Sequence, residues 1–395
     1  MFKSVTRKIV FATLLASLSL FGCSNSDEES ASSANFAAAA GILNYVPADS
    51  PYVLASITPM PEDVMDKLEP NVDRMLAAYE TLLQELFVMA NAEIVDSGEG
   101  DEEALRATAV LAELSSLLSI EGLRGAGFSR ESRLALYGNG LLPVLRIEVT
   151  DGALFEAALQ RIEESSGEQM DVATIAGSSV RYITIEDAKL LISVLDKQVV
   201  VSVAPASFSD DQLSTLLGLT APAANIADSG KLQGVADEYG FSDYFIGYFD
   251  VAALANTYTG DASGLDADLI ALMGDNDLIS DACRADIRSM AGIAPRMVMG
   301  YTTITTEQFG SKVVVELRSD IAAGLANLTA PVPGLGSNLG GLMSFGMSLD
   351  IKAMREFVET QLDALEADPY TCEDFAAMDE GVAQARTESQ GTGHT

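Results

Sequence analysis

The sequence predicts an α+β fold: antiparallel meander sheets with packed helices, preceded by an N-terminal helical hairpin. Three observations carry this. Four short apolar runs, Val172–Ile175, Val180–Ile185, Leu190–Leu195 and Val199–Val203, follow one another across brief turn segments, which is the pattern of a meander. Between Asn71 and Val95, and again from Asp101 to Ile120, apolar residues recur at helical spacing instead. Finally, strand-like runs end in an aspartate that opens a helix at Asp151, Asp250 and Asp350.

Taken in order, Gly41 to Thr58 reads as the first strand region, with Pro47 and Pro51 making its first half a turn or edge. Pro59, Pro61 and Glu62 open a helix, since proline suits the first helical position and acid favours the first turn. Val72, Met75, Leu76, Tyr79, Leu82, Leu83, Leu86 and Phe87 then lie along one helical face, and Leu105, Ala109, Leu111, Leu114, Leu117 and Leu118 along a second. The acidic loop between them predicts an antiparallel hairpin. Arg133–Tyr137 and Pro143–Val149 read as strands joined by Gly138-Asn139-Gly140, and Asp151 caps a helix to about Ser165. Within the meander, Val199–Val203 is nearly all apolar, which predicts a central strand covered on both faces.

Helical stretches follow at Leu213–Leu217 and Leu232–Tyr239, then a strand at Tyr244–Phe249 and helices to Gly292. Arg296–Thr305 and Lys312–Arg318 form a predicted hairpin, Leu328–Gly341 a Pro/Gly-rich loop, and Met343–Leu349 a strand before the helix capped by Asp350. The strand–Asp–helix idiom recurs about every hundred residues. It fits duplicated α+β units, and equally a chance recurrence of a common strand-to-helix signal.

Composition narrows the function classes. The 395-residue chain carries 23 Lys+Arg against 58 Asp+Glu, a net charge of −35. Such a surface repels nucleic acid and anionic headgroups. The single histidine, His394, sits beside the C-terminus in a polar, Gly-rich tail. A Ser-His-Asp or Cys-His hydrolase, and any His-ligated metal enzyme, therefore has no histidine to use in the folded part. Besides Cys23 there are two cysteines, Cys283 and Cys372. In an oxidising compartment this isolated pair reads as a structural disulfide, which the chain-entropy model values at roughly 4–5 kcal/mol as an upper figure. Without histidines, and far apart along the chain, they do not read as a zinc site.

The first 23 residues state a location. Lys3, Arg7 and Lys8 form a cationic head, Ile9–Phe21 an apolar run too short to span a bilayer, and Leu20-Phe21-Gly22-Cys23 closes it. This ending resembles the lipobox of bacterial lipoproteins, although Phe21 is bulkier than that family usually carries. The resemblance implies a diacylglyceryl group on the Cys23 thiol, cleavage before it and acylation of the new amino terminus. Ser24, rather than Asp, after the cysteine implies sorting to the outer membrane, inner leaflet. Ser24–Ala40 has almost nothing to bury and reads as a flexible tether, and several acyl chains give stable anchoring. The opening Val46-Pro47-Ala48-Asp49-Ser50-Pro51-Tyr52, with the strand–Asp–helix units from Gly125 and Tyr244, is similar to a family of uncharacterised bacterial envelope proteins, many of them lipoproteins. That family is a domain of unknown function, so the likeness implies fold and location and no catalytic residue.

Candidate chemistry is thin beyond this. Asp49 with Asp63, and Glu148 with Asp151, are the carboxylate pairs a two-acid hydrolase would use, but helix-start aspartates already have a capping role and there is no Trp platform for a sugar. Gly334–Gly341 lacks the Gly-Lys-Ser/Thr ending of a phosphate loop and leads into a strand. Asp275, Asn276, Asp277 and Asp281 lack the glycine and distal glutamate of an EF-hand. Met297, Met299, Met343 and Met347 lie on two predicted strands, where they would line a greasy pocket or fill a core. The sequence thus predicts a signal peptide over 1–23, a tether over 24–40, α+β domains over 41–240 and 241–380, and a disordered tail over 381–395. The expected role is non-catalytic binding or assembly by a lipid-anchored envelope protein facing the periplasm, without cofactor, metal or nucleic acid. Its partners would be the membrane, through the lipid, and an envelope protein. The alternative is a periplasmic carrier of a lipid or other apolar ligand.

Overall fold

A computed structural model describes residues 40–96, 101–195, 197–273, 280–330 and 348–375, together with Gly381 and Arg386. The signal segment, the tether up to residue 39, Asp275–Asp277, Gly334–Gly341, Met343, Met347 and His394 lie outside the described residues, while Ala40, the last residue of the predicted tether, begins a short helix. The rest is an α+β fold with an antiparallel sheet, as the sequence predicts. It divides into two compact units. One holds the described residues up to Phe249 together with Val298–Val314, and the other Asp250–Met297 and the described residues from Val315 onward. The boundary read from sequence lay at 240/241. The compact units cut instead at 249/250, and the hairpin that follows Met297 belongs with the first unit.

In the first unit the chain runs α1 (Ala40–Leu43), β1 (Tyr52–Ala55), α2 (Glu62–Asp96), α3 (Asp101–Leu117), α4 (Ile120–Gly125), β2 (Leu134–Asn139), β3 (Leu142–Glu148) and α5 (Gly152–Ser166). The meander follows as β4 (Asp171–Ile175), β5 (Ser178–Ile185), β6 (Ala188–Leu195) and β7 (Gln198–Pro205), then α6 (Asp210–Leu216), α7 (Ile226–Ser229), α8 (Lys231–Tyr239) and β8 (Ile246–Asp250). With β9 (Arg296–Ile304) and β10 (Phe309–Glu316) these strands make one ten-stranded sheet, in the order β10-β9-β8-β1-β2-β3-β7-β6-β5-β4. The nearly all-apolar run Val199–Val203 is indeed an interior strand, β7, paired with β3 and β6.

Register assigns the two faces. Ala55, Ala135, Arg146, Val200, Ser193 and Val180 are successive cross-strand partners and so share one face, as do Val53, Tyr137, Val144 and Ser202. Here α1 lies on β2 and β3, burying Ile42 and Leu43 completely. The alternate residues face α2 and α5. Leu159 and Phe155 of α5 pack on Ile192, Val194, Val199 and Val201. Val64 and Leu68 of α2 pack on Leu54, Phe245, Tyr301 and Ile304. Each such buried aliphatic side chain contributes about 1.5–3 kcal/mol.

The helical hairpin forms, and its first helix accommodates a proline. The sequence predicts a helix opening near Glu62 with helical spacing from Asn71 to Val95, and α2 runs unbroken through both, with Pro70 inside it. Proline removes one backbone hydrogen bond from a helix. Here side chains on both sides of it are held from outside. Arg130 grips Asp66 and Glu69, Arg124 also reaches Glu69, and Asp73 accepts the Ile120 N–H at 3.1 Å. That last bond brings the start of α4, just past the end of α3, back to the first half of α2, as an antiparallel pair requires.

The three strand-end aspartates all cap helices. Asp151 accepts from Ala153 N at 2.8 Å and Asp250 from Ala253 N at 2.8 Å, while Asp350 accepts from Lys352 N and Ala353 N. In the second unit, Asp250 opens α9 (Val251–Asn256), followed by a π-helical turn (Thr257–Asp261), α10 (Leu265–Met273), α11 (Asp281–Ala291), α12 (Ser319–Ala326) and α13 (Ile351–Ala367). Arg284 and Arg288 of α11 both donate to the Thr259 carbonyl, tying the π turn to that helix. Gly324 of α12 meets the Phe357 ring of α13 too closely for any side chain. Of the predicted strand before Asp350, Ser348 and Leu349 are described, and Leu349 forms an isolated antiparallel bridge to Thr329.

Candidate functional site

The residues singled out from sequence separate in the structure. Cys283 and Cys372, 89 residues apart in sequence, are joined as a disulfide with a Cα–Cα separation of 4.4 Å. Cys23 lies outside the described residues. The carboxylate pairs are occupied locally: Asp63 accepts from its neighbour Val64 N, Glu148 pairs with Arg133 at 2.8 Å, and Asp151 is a helix cap. Asp49 is exposed, and Asp281 sits in the first turn of α11. Met299 packs into the cluster of Val64, Phe245, Tyr301 and Ile304, which is ordinary core filling.

The most unusual chemistry is one the sequence reading passed over. Arg146, on interior strand β3, is fully buried. Its register places it between Ala135 and Val200, on the face covered by α1 and the residues around α6. Burying a guanidinium costs several kcal/mol unless its charge and donors are met. A carboxylate usually does this, yet here neutral groups do. Nη1 donates to Gln198 Oε1 at 2.7 Å, and Nη2 to the carbonyls of Leu217 at 2.7 Å and Gly218 at 3.0 Å. The guanidinium carbon lies 4.2 Å from the centroid of the Tyr45 ring, a cation–π contact.

Those two carbonyls end helix α6, whose dipole leaves partial negative charge there and favours a cation. The helix begins with a capping box, Ser209 with Gln212, and ends at Gly218 in a left-handed conformation, φ 56°. A Cβ at Gly218 would come within 3.0 Å of Arg146 Nη2, so both the backbone angle and the close approach require glycine. Asn139, at the tip of the β2–β3 hairpin, donates to the Thr215 carbonyl at 2.9 Å. The hairpin thus caps the helix end from two positions.

Two polar atoms of this cluster, Arg146 Nε and the Tyr137 hydroxyl, find no hydrogen-bond partner among the described residues. Burial pushes the Tyr137 hydroxyl above its ordinary pKa, and the nearby guanidinium opposes that shift. The cluster holds no nucleophile beside a base, so its chemistry is charge solvation. It pins three separate segments, Tyr45, Gln198 and Leu217–Gly218, to one strand. The sequence signal for it was slight: a basic residue at a position where Val144, two residues earlier on the same face, is apolar.

The surface carries a second feature. Strands β4 and β10 terminate the sheet, and each presents an apolar side chain, Val172 at 57% and Val313 at 51% exposure. Among the described residues no helix is long and apolar enough to cross a membrane. No protein-family model, curated protein or solved structure matches the chain.

Proposed function

We propose that the chain is a non-catalytic protein of the bacterial cell envelope, anchored by lipid on Cys23, whose folded part binds or assembles with another envelope protein. The leader supports the anchor through its ending, Leu20-Phe21-Gly22-Cys23, which resembles the lipobox of bacterial lipoproteins, and Ser24 after the cysteine favours the outer membrane. The observation that carries the binding role is the pair of sheet-terminal strands with exposed apolar residues. A terminal strand offers its backbone to a further strand, and natural proteins that avoid such pairing blunt it with charge or cover. Val172 and Val313 are largely open to solvent, each beside one exposed charge on its strand, Asp171 and Lys312. The buried polar cluster around Arg146 supports the same reading, since its groups secure segments of the scaffold and leave the exposed strands as the contact surface.

Cys23→Ser protein, purified from periplasm and cross-linked in envelope extract, should give a discrete protein adduct that is lost in Val172→Lys or Val313→Lys. An adduct unaffected by both changes would remove the strand edges from the argument. If no protein adduct forms, while native mass spectrometry shows a stoichiometric apolar ligand removed by organic extraction, the carrier role takes its place. The anchor has its own test: Cys23→Ser should free the protein from the membrane, and continued membrane association would overturn lipidation.

A further inference from the structure

We propose that Cys283, Cys372 and Asp374 form a binding site for Zn2+ or a similarly thiophilic divalent cation when the disulfide is reduced. Distance along the chain argued against a metal site, but folding removes that distance. The two sulfurs and a carboxylate oxygen of Asp374 all lie within 4.8 Å of one another. Cys372-Glu373-Asp374 is a tight turn, with a short 3-10 segment at Glu373–Phe375, so the second and third ligands come from one backbone loop.

The arrangement does not depend on the S–S bond alone. Cys283 lies in the first turn of α11, where the Ser280 cap accepts its N–H at 3.1 Å. One turn further along the same helix, Asp286 Oδ2 accepts the N–H groups of Thr371 at 2.6 Å and Cys372 at 2.8 Å. A carboxylate clamp therefore holds the Cys372 backbone against α11 independently of the sulfurs. Breaking the disulfide leaves two thiols side by side, with a carboxylate at the rim.

The chemistry balances with a named reductant. A phosphine attacks one sulfur, the S–S bond breaks, and water supplies the oxygen of the phosphine oxide and the two thiol protons. Metal binding then displaces those two protons into solvent, giving two metal–thiolate bonds. Both sulfurs are nearly buried while Asp374 is exposed. Two buried thiolates are costly unless a cation neutralises them, and a coordinating metal ion does so. Two soft sulfurs and one carboxylate suit Zn2+ in tetrahedral geometry, with a water completing the shell, whereas Mg2+ and Ca2+ prefer all-oxygen sites.

The test uses Cys23→Ser protein, so that only these two thiols are present, reduced anaerobically with a phosphine and freed of excess reductant. Titration with Co2+ should produce a thiolate-to-metal charge-transfer band saturating at one equivalent and erased by Zn2+. Oxidised protein should give no band. Loss of outer-shell partners alone costs metal sites about 10–100-fold in affinity, so Asp374→Asn, which removes a ligand at an exposed position, should weaken binding at least about tenfold. Absence of the band in reduced protein would overturn the proposal, as would equal affinity in Asp374→Asn. Loss of the native circular dichroism on reduction would refute the carboxylate clamp on which it stands.

Discussion

Replacing Arg146 by methionine tests the account of the buried cluster most directly. The substitution keeps an apolar stem of similar length and removes the charge. It leaves the carbonyls of Leu217 and Gly218 and the Gln198 amide oxygen without their donor. Each buried acceptor stranded in this way costs about 1–3 kcal/mol, and the lost Tyr45 contact adds about 0.5–2 kcal/mol. Against this stands the desolvation cost of the guanidinium, several kcal/mol, which the variant no longer bears. The net loss expected is about 3 kcal/mol, since helix-end carbonyls are left with nothing in place of a charged donor. In urea, followed by tyrosine fluorescence because there is no Trp, the midpoint should fall by about 1 M at unchanged slope, taking a slope of about 3 kcal/mol/M. Arg146→Lys should recover only part of this, because an ammonium lacks the planar fork that reaches three acceptors. Amide exchange near Tyr45 and Leu217 should quicken in both variants. An Arg146→Met protein as stable as the parent would refute the reasoning, and the guanidinium would then be a tolerated burden.

Other consequences follow from local chemistry. Ala176, in the β4–β5 turn, has φ 48°, a left-handed conformation that an alanine resists, so Ala176→Gly should raise stability by about 0.5–1 kcal/mol, read as a higher urea midpoint. Asp151→Ala removes the N-cap of α5 and should cost about 1 kcal/mol by the same assay. Burial holds the Tyr301 hydroxyl well above its ordinary pKa. The folded state therefore keeps this proton where the unfolded chain has already lost it. Stability from this source is complete below about pH 10 and then declines by about 1.4 kcal/mol per pH unit, until the folded-state pKa is passed. Tyr301→Phe should flatten that alkaline limb in urea midpoints measured between pH 8 and 11. Hydrogen bonding to Arg130, aided by Arg124, holds the Glu69 carboxyl below its ordinary range against the opposing effect of burial. Its contribution is lost as pH falls through that lowered value, so Glu69→Gln should shrink the acid limb of the stability curve and leave the alkaline limb unchanged.

The fold was legible wherever one local rule decided the outcome. Alternation and turn residues gave all four meander strands, because each pairs with its neighbour across a short connection. Side-chain geometry at a strand end gave Asp151, Asp250 and Asp350 as caps. Legibility failed where distant residues decide. The helix start near Glu62 was readable, but nothing nearby in sequence announces the contacts that hold α2 around Pro70: Arg124 and Arg130 on Asp66 and Glu69 before it, and the Ile120 N–H on Asp73 after it. The β9–β10 hairpin was readable as a hairpin, but its return to the first unit depends on pairing with β8, some fifty residues earlier.

Arg146 shows why the candidate site was the least legible part. A buried ion pair announces itself as two opposite charges, and a sequence can be searched for them. Here the compensation comes from a helix end, an aromatic face and an amide, and none of these is distinctive in sequence. The same holds for Asp374, which gains meaning only beside two sulfurs, one of them contributed by a helix 89 residues away. Both clusters share a logic. Each fastens a segment distant in sequence to a regular element: Tyr45 and Leu217–Gly218 to β3 in one unit, Thr371–Cys372 to α11 in the other. Such fastenings fit a molecule whose polar interior fixes shape and whose strand edges make contacts. In that scheme, loosening Arg146 should weaken partner binding only through lost stability, whereas Val313→Lys should abolish binding without lowering the urea midpoint. A Val313→Lys protein that binds normally but unfolds early would reverse the assignment, making the edge a structural element.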